Sequence, residues 1–357
     1  MRLAARMRLR TRTRGHRADA VLAGLALAGV ALCVVALSGC MGWHAGAMAG
    51  EPKSATYANV AGTRVRYVDT GPGAGPAVVL IHGFASSLEA WDAVIPTLAR
   101  EHRVLALDLK GFGWTDRAPG DYTPAAQARL VLALMDQRGL DKAAVVGHSY
   151  GASVALAVAL QAPERVTRLG LYSAWVYDEQ QPTLHRWARA GGLGELLFKL
   201  YYKERPDEKL EQAFYDPELI TEALAEAVER AMERPGTVAA ALQTVRGMRY
   251  EDWQAKYRTV DVPVLLLWGR EDVVTTLEFG ERLLRELKDA RLVVFPRCGH
   301  IPMIEAARES TRELMAFVAG DIASASAEKS PEAGTGTGTG TGTSSDADPD
   351  TATREQP

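Results

Sequence analysis

Residues 143–160 read AAVVGHSYGASVALAVAL, and the fold follows from how this stretch is read. The valine-rich start suits a buried strand, and ASVALAVAL suits a helix. Between them lies Gly147-His148-Ser149-Tyr150-Gly151. A serine on so sharp a strand-to-helix turn takes a strained backbone, and glycines two before and two after it prevent collisions and leave its hydroxyl exposed. Serine at a helix start also has an ordinary role as an N-cap. The paired glycines, with the partners described below, favour a nucleophile at Ser149.

On both sides of this turn the chain alternates between strand-like and helix-like periods. Runs rich in β-formers stand at 56–69, 77–82, 103–108, 143–148 and 166–173, with helical stretches between them. Strands separated by helices imply parallel pairing and right-handed crossovers. The opening pair differs: 56–60 and 63–69 flank Ala61-Gly62 and read as an antiparallel hairpin at the sheet edge. From 176 to 260 the strands stop, and helical patterns are broken at Gly191-Gly192, Pro206, Pro217 and Pro235-Gly236. Strands resume at 262–268 and 291–295, with helices at 276–288 and 305–319. The expected fold class is therefore α/β, a mostly parallel central sheet flanked by helices, with a core over 56–175 and 261–320 and a helical cap over 176–260. Trp187, Phe198, Tyr201, Tyr202, Phe214, Tyr215 and Trp253 of the cap have helix-like spacing, and most are expected in its core.

From about 56 to 320 the chain resembles a lidded member of the α/β-hydrolase fold superfamily. His82-Gly83-Phe84 matches the oxyanion-loop motif of that family, which implies the backbone amides of Phe84 and Tyr150 as donors to a developing negative charge. Asp108, in LDLKGFGWTD, matches a turn-forming position. The resemblance places the acid after the next-to-last strand, where Trp268-Gly269-Arg270-Glu271-Asp272 offers Asp272, with Glu271 and Asp178 as competing carboxylates. It places the base after the last strand, where Cys298-Gly299-His300 offers His300. Imidazole suits this role because it exchanges protons near neutral pH. Of seven histidines, only His300 completes the order Ser149, Asp272, His300. Cys298 has no ligand partners at useful spacing, so no metal and no cofactor are expected.

At 357 residues the chain permits one large α/β unit with appendages. Its first 39 residues carry seven Arg and one Asp, a contribution of +6, so without them the net charge moves from −3 to −9. That acidic balance argues against a nucleic-acid partner. Residues 20–37 are apolar and uncharged, and Leu37-Ser38-Gly39-Cys40 follows. This start resembles a bacterial lipoprotein signal, which implies cleavage before Cys40, acylation of that cysteine and a palmitate-type membrane anchor. An uncleaved transmembrane helix is the alternative, since the apolar run just reaches spanning length. Either places the protein at the bacterial cell envelope, facing the periplasm or the exterior, and in a Gram-negative lipoprotein Met41 after the cysteine leans toward the outer membrane. Residues 40–55 read as a flexible tether, and the Gly/Thr-rich, acidic stretch 321–357 as a structureless tail. Only Cys298 falls in the folded part, so no intramolecular disulfide is expected there.

A serine nucleophile argues against chemistry that needs a carboxylate ester intermediate and leaves acyl chemistry. The resemblance admits carboxylesterases and lipases, small-peptide serine peptidases, hydrolases of carbon-carbon bonds next to a ketone, and perhydrolases. An ester or related acyl substrate of small-molecule size comes first, because it asks only for an apolar acyl groove. No obligate protein partner is implied. A ligand-binding lipoprotein that keeps the fold without turnover, and acyl transfer to an acceptor other than water, remain as alternatives.

Overall fold

The computed structural model describes residues 42–73, 75–202 and 206–320. The apolar stretch 20–37, Cys40 and the tail from 321 lie outside them. The strands are β1 Thr56–Val60, β2 Thr63–Thr70, β3 Val78–Ile81, β4 Val104–Leu107, β5 Ala143–His148, β6 Val166–Tyr172, β7 Val264–Gly269 and β8 Ala290–Phe295. They form one sheet in the order β1-β2-β4-β3-β5-β6-β7-β8. β2 runs antiparallel to both neighbours, and all other neighbours pair in parallel. The α/β class and the edge hairpin expected from sequence are both present.

Three helices precede the cap: α1 Ile95–Leu98, α2 Pro124–Gln137 and α3 Tyr150–Gln161. The cap, between β6 and β7, holds α4 Thr183–Ala188, α5 Leu193–Tyr202, α6 Pro206–Ala213, α7 Glu222–Glu233, α8 Thr237–Gly247 and α9 Glu251–Gln254. α10 Leu277–Glu286, α11 Pro302–Glu305 and α12 Ala307–Ala319 complete the core. The single helix expected over 305–319 is thus two, with its break at Ala306.

β3 and β4 are buried along their whole length, as strands covered on both faces must be. Because successive side chains point to opposite faces, Val79, Ile81, Leu105 and Leu107 pack with Val131, Leu134 and Val154, whereas Val78, Leu80, Val104 and Ala106 pack with Leu98, Leu314 and Phe317. The cap has a small core of its own, built from Ala188, Phe198, Tyr202, Ala241, Leu242 and Val245, and Phe84 of the sheet domain packs against it. Trp187, Tyr201 and Tyr215 are exposed rather than in that core. In α5, Phe198 and Tyr202 lie one turn apart on the buried face, so Tyr201 falls on the outer one. No helix among the described residues is long and apolar enough to cross a membrane.

Residues 42–55 do not form the expected flexible tether. His44 and Arg117 exchange backbone hydrogen bonds of 3.1 and 2.8 Å, the Trp43 ring stacks on Tyr122 at 5.9 Å, Met48 is buried, and Glu51 holds Arg64 through two contacts of 2.7 and 2.8 Å. Scattered anchors of this kind leave no apolar period, which is why composition alone suggested a loose linker. Arg117 is itself buried and donates to Gly113 O at 2.7 Å, Thr115 O at 3.0 Å and Thr237 Oγ1 of α8 at 2.9 Å. The arm, the loop after β4 and the cap therefore meet at one guanidinium.

α3 reaches the sheet through Gly151, where an added Cβ would lie 2.4 Å from Ile81 O and 2.3 Å from His82 O. Both are backbone atoms, so neither can swing aside. Gly151→Ala is expected to lower the unfolding free energy by about 1–3 kcal/mol or more, read from urea denaturation. A variant with the parental midpoint would show that α3 can move without cost.

Candidate active site

The chain leaves β3 for β4 on one side and returns to β5 on the other, and Ile81 pairs with Gly147 across the two parallel strands. Reversal of strand order opens a crevice at the carboxyl ends of the strands. The loops after β3 and β5 consequently meet there, and a Cβ on Gly83 would stand 3.2 Å from Ser149 Cβ. Ser149 has φ 53° and ψ −119°, a left-handed conformation that costs on the order of 1–3 kcal/mol in a non-glycine residue. Its backbone is fixed on both sides, because Ser149 N donates to Tyr172 O at 2.9 Å and Ser149 O accepts from Trp175 N at 3.1 Å.

Asp272 stands in the loop after β7 and His300 in the loop after β8, and both meet Ser149 at the crevice. Ser149 Oγ lies 3.0 Å from His300 Nε2, and His300 Nδ1 lies 3.0 Å from Asp272 Oδ2. This geometry assigns Nδ1–H as donor to the carboxylate and Nε2 as acceptor from the hydroxyl. All three residues are buried. Burial pushes the Asp272 carboxyl up, but His300 and the donors from Thr275 outweigh it and hold it below the usual carboxylate range. The other oxygen, Oδ1, accepts from Val274 N at 2.9 Å and Thr275 N at 2.8 Å.

The competing carboxylates are engaged elsewhere. Asp178 accepts from the amides of Tyr250 and Glu251 at the start of α9 and pairs with Arg189, and Glu271 accepts from Cys298 N. Burial pushes the Cys298 thiol well above its ordinary value, followed in weight by the nearby Glu305 carboxylate, so it is no ready thiolate. No cluster of metal-ligating side chains occurs among the described residues. Phe84 and Tyr150 flank Ser149, one in the loop after β3 and one in the first turn of α3, where helix amides have no partner within the helix.

Several supports were not found from sequence. The Thr275 hydroxyl lies 2.9 Å from Asp272 Oδ2 and 3.1 Å from Ser173 O. Glu305 accepts from the amides of Gly299, Tyr215 and Asp216, and His300 N donates to Ala213 O, which pins the cap to the loop of the base. His148 donates from Nε2 to His300 O at 2.9 Å, and its ring centre is 4.9 Å from that of His300. A short polar residue following a strand three positions after the acid was the available signal for Thr275; the others depend on folding. His82 donates to Gly83 O and accepts from Leu109 N, and so braces the loop from beneath. Asp108 likewise holds turns, accepting from Leu88 N and Trp114 N.

The sequence profile of the α/β hydrolase fold matches residues 76–307. The chain belongs to this family and is a hydrolase of the α/β fold. It is 30% identical over 273 residues to the 2-hydroxy-6-oxo-2,4-heptadienoate hydrolase of Pseudomonas putida, a match covering 70% of this chain and 91% of that protein. The structure of a meta-cleavage product hydrolase from Pseudomonas fluorescens aligns with a TM-score of 0.63 at 28% identity, covering 75% of this chain and 98% of that one. That of a membrane phospholipase A, a bacterial virulence factor, aligns with a TM-score of 0.61 at 25% identity, covering 84% of this chain and 95% of that one.

Burial, reinforced by His300, pushes His148 down to about 3, and burial with Arg189 and Lys209 pushes His185 down to about 4. A histidine whose folded value lies below its unfolded value of about 6.5 binds protons first in the unfolded chain. Stability is therefore lost as pH falls below about 6.5, by up to about 1.4 kcal/mol per pH unit for each such group. His148→Gln is expected to make this loss shallower by about 1 kcal/mol per unit between pH 6 and pH 5, measured as urea midpoints across that range. Identical slopes in the two proteins would mean that His148 accepts its proton in the fold.

Proposed function

We propose that this protein is a serine hydrolase that cleaves an ester through an acyl-enzyme intermediate on Ser149. The observation carrying this reading is the continuous hydrogen-bonded chain from Ser149 Oγ through the His300 imidazole to Asp272. As Oγ attacks the substrate carbonyl, His300 Nε2 takes the hydroxyl proton, and Asp272 holds the resulting imidazolium in place. The amides of Phe84 and Tyr150 receive the carbonyl oxygen as it becomes negative. The imidazolium then gives its proton to the leaving alkoxide. Water repeats the sequence on the acyl group and frees the serine.

Cleavage of a carbon-carbon bond beside a ketone is the second reading, favoured by the likeness to the heptadienoate hydrolase. The same three residues serve, but the proton goes to a carbon leaving group. Side-by-side assays of p-nitrophenyl esters and of the heptadienoate separate the two. Ser149→Ala is expected to abolish labelling by a fluorophosphonate probe, and Asp272→Asn to lower kcat by about a thousandfold or more. Labelling that persists in Ser149→Ala would remove the proposed nucleophile.

The Arg-rich start, the apolar run 20–37 and Leu37-Ser38-Gly39-Cys40 support lipid attachment at Cys40 and a place at the cell envelope. The likeness to a membrane phospholipase A supports a substrate met at a membrane. Cys40→Ser is expected to move the protein from the membrane fraction to the soluble fraction of its host. Continued sedimentation with membranes would point to an uncleaved apolar helix instead.

A further inference from the structure

Two aromatic side chains beside the nucleophile hold polar atoms that nothing in the fold uses. Trp175 and His185 are both buried, and their rings are stacked, with centres 5.7 Å apart and planes 7° from parallel. Trp175 Nε1 and His185 Nδ1 are each shielded from solvent and have no hydrogen-bond partner among the described residues. A buried donor left in this state costs about 1–3 kcal/mol, a cost that a purely apolar side chain does not carry. Two such atoms on one stacked pair mark a place that a partner completes.

The location of the pair indicates what that partner is. Trp175 donates its backbone N–H to Ser149 O, so it sits directly against the nucleophile turn. His185 projects from α4 of the cap and packs its ring 6.0 Å from that of Phe84, whose amide is the oxyanion donor, and 6.3 Å from that of Phe198. The pair thus bridges the serine turn, the oxyanion loop and the cap. An indole N–H only donates, so the missing partner carries an acceptor. A neutral imidazole takes or gives one hydrogen bond according to its tautomer, and burial keeps His185 neutral at physiological pH. The surrounding Phe84, Phe198 and Tyr202 rings disfavour a desolvated carboxylate, and the two cations near His185 are engaged, Arg189 by Asp178 and Met248 O and Lys209 by the carbonyls of Tyr201 and Tyr202.

We propose that Trp175 and His185 form a polar subsite that receives an uncharged keto or hydroxyl oxygen of the substrate, apart from the carbonyl under attack. This rests on Ser149 being the nucleophile. The preferred substrate then carries an oxygen function within an otherwise apolar chain, in either its acyl or its leaving part. A plain alkyl ester leaves both nitrogens unpartnered in the complex and reacts less well.

The test compares kcat/KM for p-nitrophenyl levulinate against p-nitrophenyl valerate, and for acetopropyl acetate against pentyl acetate, in the parent protein, Trp175→Phe and His185→Phe. The parent is expected to prefer the oxygen-bearing member of one pair by about tenfold, and each variant to bring that ratio to within about threefold of unity. The pair that responds tells whether the subsite serves the acyl or the leaving part. A ratio of two substrates on one folded variant is insensitive to a modest loss of stability from the smaller ring at 175 or the larger one at 185, so the melting temperature serves to establish folding. No preference in either pair, or a preference that survives both substitutions, overturns the proposal. A folded parent that takes no fluorophosphonate label fails earlier, at the serine itself, and the subsite reading falls with it.

Discussion

Gly151 stands so close to the carbonyls of Ile81 and His82 that no side chain fits between them. This contact lets α3 lie directly against the β3–β5 pair, and it sets the sharpness of the turn that carries Ser149. Because the turn is sharp, Ser149 takes a left-handed backbone and its hydroxyl faces the loop of His300 rather than the helix it begins. The strain is small beside the burial of α3, whose residues from Tyr150 to Ala159 are all covered. The same closeness brings the loop after β3 against the turn that carries Ser149. The seating of the helix and the orientation of the serine thus share one steric cause.

Around that point the protein separates three histidines by what they touch. His82 and His148 are enclosed among backbone groups and held neutral by burial. His300 alone has a carboxylate on one nitrogen and a hydroxyl on the other. A buried carboxylate is stable only when its oxygens are occupied, and Asp272 meets this condition through Val274, Thr275 and His300. Asp272 thus keeps its charge beside His300 in a buried setting, where its influence on a proton is less screened than at the surface.

The cap contributes aromatic surface rather than charge to this region. Phe84 belongs to the oxyanion loop yet packs on Tyr202 and His185 of the cap, so the two parts share a wall. Glu305 and Ala213 fasten the cap to the loop of His300, and Arg117 fastens it to the N-terminal arm. Displacement of the cap would disturb the base and the oxyanion loop together.

Local rules made much of this legible in advance. Valine-rich runs split by helical periods revealed the strands, two glycines around Ser149 revealed the turn, and chain order singled out Asp272 and His300. These signals survive in a bare sequence because each reports a backbone conformation or a burial pattern confined to a few neighbouring residues. The packed arm at 42–55, the exposed Trp187 and Tyr215 and the stacked Trp175 and His185 left no such mark. The arm meets a segment far away in the chain, the stacked pair spans the junction of sheet and cap, and the exposure of Trp187 and Tyr215 is set by how the cap packs, so all three depend on where arm and cap settle on the sheet. Sequence by itself determined the strand-and-helix alternation and pointed to Ser149, Asp272 and His300 as one constellation; only the tertiary structure decided what surrounds them, because contact between distant segments is a property of packing and not of periodicity.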